Sequence, residues 1–137
     1  MEKKRVLWIS RHEPLPAQLK ALEERLGDFE LIQHEQPLPT AQHAVSLIEE
    51  KKADVVVAVL PLSFMMYLAE ELKKRNITLL RADMEAIHNC SFSPCPVFNP
   101  NTDTILISKD NDIEIHRHFR FRGFKVLKEV RLVEEDW

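Results

Sequence analysis

Hydrophobic positions along this chain switch between short apolar runs and helical spacing, and each switch marks an element. Residues 5–9 read as a buried strand, after which Leu15, Leu19, Leu22 and Leu26 recur along one helix face. Gly27 then supplies a helix stop. Residues 29–32 predict a second strand. Pro37 and Pro39 break the chain, Thr40 offers an N-cap, and Ala41, Ala44, Val45 and Ile48 mark the stripe of a second helix. Residues 54–60 are nearly all apolar, as in a central parallel strand covered on both faces. Ser63 offers the next cap, with Phe64, Met65, Leu68, Ala69 and Leu72 facing inward until Asn76, a residue that tolerates the left-handed helix-ending conformation. Residues 77–80 give a fourth strand.

Successive strand–helix–strand steps imply right-handed crossovers, so the expected class is α/β: a Rossmann-like parallel sheet of about four strands with flanking helices, spanning residues 1–88. The pattern changes after residue 83. Pro94, Pro96 and Pro100 interrupt residues 90–102, which read as a loop. Residues 104–108 and 113–121 predict a hairpin around Lys109-Asp110-Asn111-Asp112, and residues 124–133 a bent or third strand, with Gly123 at a bulge or turn. Residues 89–137 are thus expected to form a loop and a β-hairpin or meander appendage of the same single domain.

Composition narrows the function classes. The length of 137 residues suits one domain with its own core, and two glycines against eight prolines predict short, stiff loops. A net charge of -3 argues against duplex nucleic acid and anionic membrane surfaces as partners, leaving small anions caught locally. No apolar run reaches the length of a membrane span, and the charged N-terminus lacks a cleavage pattern, so a cytoplasmic protein is expected. Cys90 and Cys95 are too few for a disulfide framework.

Candidate chemistry gathers where the first strand ends. Ser10, Arg11 and His12 would meet the loop Pro61-Leu62-Ser63 across the point where strand order reverses, the usual ligand crevice of an open α/β sheet. The third helix would add backbone N–H groups suited to phosphate, Arg11 a bidentate donor, and His12 a general acid or base. The catalytic candidates are therefore His12 and Arg11. The ligand-binding set is Ser10, Arg11, His12, Gln18, Pro61, Ser63 and Arg81. Each has an ordinary alternative: solvated loop residues for Arg11 and His12, an exposed helix position for Gln18, and an ion pair with Asp83 for Arg81. His34 and His43 read as isolated surface residues, and Trp8 as core.

His88, Cys90, Cys95, His116 and His118 are of metal-ligating type, but their spacing matches no zinc motif, so no metal or cofactor is expected. Glu114, His116, His118, Arg120 and Arg122 alternate with Ile113, Ile115, Phe119 and Phe121, which reads as the polar face of a strand.

Residues 6–12, followed by Val59-Leu60-Pro61-Leu62, resemble small CRISPR-associated Rossmann-like proteins related to the CARF domains. In those families a Ser/Thr-Arg-His or Ser-His segment ends strand one and a Leu-Pro segment ends a later strand. The resemblance implies a cyclic oligoadenylate bound in a homodimer crevice and, as in ring nucleases, metal-independent phosphodiester cleavage by a ribose 2'-hydroxyl. Ser10, Arg11 and His12 would then hold or polarise the phosphate. The match covers the first half of the chain and leaves the β tail outside. Arg11-His12 is also similar to the Arg-His-Gly segment of histidine phosphatases, which implies phosphomonoesterase activity, although Glu13 stands in the glycine's place. The third alternative is a non-enzymatic partner-binding module of a defence system or mobile element.

Overall fold

A computed structural model describes residues 3–90 and 95–137, with the side chain of Cys90 outside the description. The elements run β1 (Lys4–Ile9), α1 (Pro16–Leu26), β2 (Phe29–His34), α2 (Ala41–Glu50), β3 (Val55–Ala58), α3 (Leu62–Lys74), β4 (Thr78–Cys90), β5 (Asp103–Asp110) and β6 (Ile113–Val126). The class is α/β, with a mixed six-stranded sheet in the order β2-β1-β3-β4-β6-β5.

Two compact units partition the chain, and they interleave in sequence. One unit holds the chain through Glu13, Asp28–Arg81 and Lys125–Trp137. In it β1 pairs in parallel with β2 and with β3, and β3 with β4. Leu7, Ile9, Val56, Ala58 and Leu79 of the strands pack with Ala44, Val45 and Ile48 of α2 and with Met65, Leu68, Ala69 and Leu72 of α3. These helix positions recur at three and four residues, which puts them on one face of each helix.

Local signals end the elements largely as expected. Gly27 closes α1 at φ 71°, and Asn76, just beyond α3, has φ 56°. Thr40 Oγ1 accepts a hydrogen bond from the backbone N–H of His43 at 3.1 Å and so caps α2. Thr40→Ala should therefore lower the unfolding free energy by about 1 kcal/mol, measured by urea denaturation. An unchanged midpoint would show that the cap contributes nothing.

The start of α3 differs from expectation. The helix begins at Leu62 with Pro61 as N-cap, and no side chain caps it. The Pro61 carbonyl instead accepts from the N–H groups of Phe64 and Met65 at 2.9 and 3.0 Å. Proline's fixed φ allows that entry without the Ser63 hydroxyl.

The second unit comprises Pro14–Gly27 and Ala82–Phe124. Helix α1 belongs here because the N–H of Ala17 bonds the carbonyl of Asn101 at 2.9 Å. The antiparallel β5–β6 hairpin turns at Asn111 and Asp112, with φ values of 50° and 65°. Two consecutive positive φ values are the mark of the tight turn whose twist suits a hairpin, and Asn and Asp tolerate them.

Two expectations are corrected here. Strand β4 runs to Cys90, past the predicted change of pattern at residue 83, because its order comes from pairing beside β6 and not from local apolarity. Strand β6 ends at Val126, and residues 127–137 carry no strand. Their anchor is Leu127, whose N–H bonds the Leu79 carbonyl at 2.8 Å. Trp8 is buried, as expected of a core residue, whereas Trp137 is fully exposed. Among the described residues, no helix is long and apolar enough to cross a membrane.

Candidate functional site

Parallel pairing of β1 with β2 on one side and β3 on the other brings the carboxyl ends of the three strands to one edge of the first unit. A cavity of about 280 Å³ opens there. Its walls come from Ser10 and Arg11 after β1, His34 to Leu38 at the end of β2, and Val59 to Pro61 after β3, with Phe64 from the first turn of α3. The lining is largely apolar, and its polar groups are few.

The loop that carries Arg11 is held by side chains of the sheet. Trp8 Nε1 donates to the His12 carbonyl at 2.9 Å, and Gln33 Nε2 donates to the carbonyls of Ser10 and His12, both at 3.3 Å. Ser10 Oγ accepts from the N–H of His12 at 3.2 Å. Backbone placement is therefore settled by three donors, while the Arg11 guanidinium is exposed and has no ion-pair partner among the described residues.

His34 is the residue that sequence reasoning missed. Its Nε2 is shielded from solvent and has no hydrogen-bond partner among the described residues. An orphaned polar atom of this kind costs free energy unless a ligand or water completes it. Its position at the end of a strand was the available signal, but without a neighbouring polar cluster it read as surface.

The other sequence candidates are placed differently. His12 is exposed and absent from the cavity lining, and Ser63 lies on the first turn of α3 without contributing to the wall. Gln18 is buried in the second unit, where its Oε1 accepts from the Leu15 N–H at 2.8 Å and secures the first turn of α1. Its side chain does a capping task, which explains why a polar residue is only 5% exposed. Arg81 is exposed on β4 and does not line the cavity.

A second constellation lies wholly within the second unit. Hairpin register sets Asp103 directly opposite Arg120 and diagonal to His118. One fully buried carboxylate consequently serves five donors. Oδ1 accepts from Thr102 Oγ1 at 2.6 Å and Arg120 Nε at 2.8 Å; Oδ2 accepts from His118 Nε2 at 2.7 Å, the Asn99 N–H at 2.9 Å and Arg120 Nη2 at 3.0 Å. The Arg120 guanidinium holds the Asp103 carboxyl well below the usual carboxylate range against the opposing effect of burial.

The polar face expected on β6 is thus not a solvated one at its centre: His118 is completely buried. Beyond it stands Cys95, also buried, with Sγ 3.7 Å from His118 Nδ1 and 3.2 Å from His88 Nε2. The spacing of these residues along the chain matches no zinc motif, yet the fold brings the three together within 4.8 Å. His116 faces Glu114 at 3.4 Å instead, and Cys90, the other cysteine named from sequence, has its side chain outside the described residues.

Comparisons with protein-family models, with curated proteins and with solved structures returned no match for this chain.

Proposed function

We propose that the protein binds a small phosphate-bearing ligand in the cavity at the carboxyl edge of β1, β2 and β3. The reading treats the first unit as Rossmann-like, with the strand-order reversal between β1 and β3 as the place where such sheets take ligands. The observation that carries it is the unpaired Arg11 on the wall of a cavity that His34, whose shielded Nε2 is unsatisfied, also lines. Arg11 supplies a bidentate fork for phosphate. Pro61 and Phe64 bring the N-terminal, positive end of α3 beside the same wall, which favours negative charge.

Glu35 also lines the cavity and disfavours a second anionic group on its side. The volume lies near the lower end for small-molecule sites, enough for a phosphate and the sugar attached to it. A cyclic oligoadenylate would exceed one cavity and would need a second copy of the chain to enclose the ring. His12 stands outside the lining, so the geometry favours binding over the phosphohistidine chemistry suggested by Arg11-His12.

Isothermal titration with inorganic phosphate, adenosine monophosphate and cyclic oligoadenylates tests this. The expected result is binding of at least one of them, weakened by about tenfold or more in Arg11→Ala, as for loss of a charge-assisted hydrogen bond. Arg11 is exposed, so the variant should fold normally. Absence of binding at millimolar concentrations, or equal affinity in the variant, would discard the proposal. Selectivity for a cyclic ring together with ligand-driven dimerisation would assign the CARF-related reading within it.

A further inference from the structure

We propose that His88 Nε2, Cys95 Sγ and His118 Nδ1 form a binding site for a zinc ion, independent of the anion cavity and contained in the second unit. Zinc bonds of about 2.3 Å to sulfur and about 2.0–2.1 Å to nitrogen, set at a tetrahedral angle, place S and N donors about 3.5 Å apart. The observed separations of 3.2 and 3.7 Å bracket that value. Zinc also accepts mixed thiolate and imidazole ligands without imposing a geometry of its own.

Proton bookkeeping points the same way. His118 Nε2 lies 2.7 Å from Asp103 Oδ2, so that nitrogen carries the proton and donates it. In the neutral ring Nδ1 then turns a lone pair toward Cys95. The thiol hydrogen can serve His118 Nδ1, while His88 Nε2 donates to the sulfur or turns a lone pair toward it according to its tautomer. A cation bound to all three would engage the thiolate and both imidazole lone pairs at once, and the thiol proton passes to solvent as the thiolate forms.

Outer contacts complete the case. Asp103 fixes the orientation of His118 as carboxylates do behind metal-ligating histidines, and its four other donors hold the carboxylate itself. Asp103 is accordingly a positioning residue. The His88 and His118 rings pack edge-on, with centroids 5.0 Å apart, and the three ligand atoms all lie within 4.8 Å of one another. Bound zinc would tie β4, the segment before β5, and β6 together.

Cys95, His118 and Asp103 taken alone would also suit a thiol nucleophile. Two observations weigh against it: Sγ belongs to a residue only 6% exposed, and a second imidazole, from His88, lies nearer to the sulfur than His118 does. A nucleophile needs one base and an approach for substrate.

The test is cobalt titration of the full chain after removal of bound metal, followed by zinc competition. The expected result is an equimolar complex with tetrahedral visible bands and a near-ultraviolet thiolate-to-cobalt band, both displaced by zinc. Cys95→Ser should abolish the thiolate band. Because a buried substitution can also unfold the protein, His88→Gln at an exposed residue is the deciding variant. It should retain the far-ultraviolet dichroism of the parent and weaken cobalt binding by about tenfold or more, and Asp103→Asn should do so by about 10- to 100-fold. A wild-type complex without a thiolate band, or a folded His88→Gln with parental affinity, would overturn the site. Rapid alkylation of Cys95 that zinc does not slow would do so as well, in favour of a reactive thiol.

Discussion

Asp103→Ala should destabilise the protein by about 3–5 kcal/mol, the range for removing one partner of a buried ion pair. Both Asp103 and His118 are fully buried, and the substitution takes the carboxylate from the imidazole and from Arg120, which keeps only the Val97 carbonyl at 3.2 Å. The Asn99 N–H and the Thr102 hydroxyl lose theirs as well. Asp103→Asn keeps an acceptor but not the charge, and should fall between the alanine variant and the parent. Urea denaturation near neutral pH measures both; a loss under about 1 kcal/mol for alanine would show that the network is not a stability determinant.

The same carboxylate predicts a pH dependence. Its folded pKa is depressed below the ordinary value of 3.8, so folding favours the ionised form. The contribution is fully present above that ordinary value and is lost as pH falls below it toward the folded pKa. The gap in stability between parent and Asp103→Ala should accordingly be constant at neutral pH and shrink only in the acid range. A gap that is already smaller at pH 6 than at pH 8 would point to a different titrating group.

The second large effect belongs to the other unit. Leu68→Ala should cost about 2–5 kcal/mol, because the side chain is completely buried in the core formed by α2, α3 and the strands. The range reflects how far Met65, Leu72 and Ile48, all buried nearby in that cluster, can close over the void. Leu62→Ala in the same helix should change stability by less than about 0.5 kcal/mol, since Leu62 is exposed. Equal effects for the two leucines, read from denaturation midpoints, would contradict the packing described here.

Much of the architecture was legible because it depends on neighbours in sequence. Thr40 caps α2 through a hydrogen bond three residues away, and Gly27 adopts the positive φ that ends α1. Met65, Leu68, Ala69 and Leu72 of α3 face the core at the spacing that marked them, whereas Phe64 lines the cavity. Strand β4 beyond residue 83 was not legible, because the segment takes its order from β6, more than twenty residues downstream.

The candidate sites divide along the same line. Ser10 and Arg11 stand out in sequence because they adjoin and follow an apolar strand, and they line one cavity together with Pro61. Gln18, His12, Ser63 and Arg81 were drawn to the same crevice by their nearness to strand and helix ends, which does not specify side-chain direction. The buried network of β5 and β6 had a clue in the turn. With Asn111 and Asp112 as its loop, Asp110 faces Ile113, and counting seven residues back along one strand and forward along the other brings Asp103 to Arg120.

By itself, then, the sequence determined the α/β class, the caps, the hairpin and a polar cluster after the first strand, because each rests on local spacing and backbone preference. Tertiary structure decided which polar residues meet. It turned His34 from a surface residue into part of a cavity wall, gave Gln18 to the N-terminal turn of α1, and gathered His88 and Cys95 beside a His118 that is held by a buried carboxylate. The physical reason is that such groups are assembled by strand register and burial, both set by contacts between residues far apart in the chain.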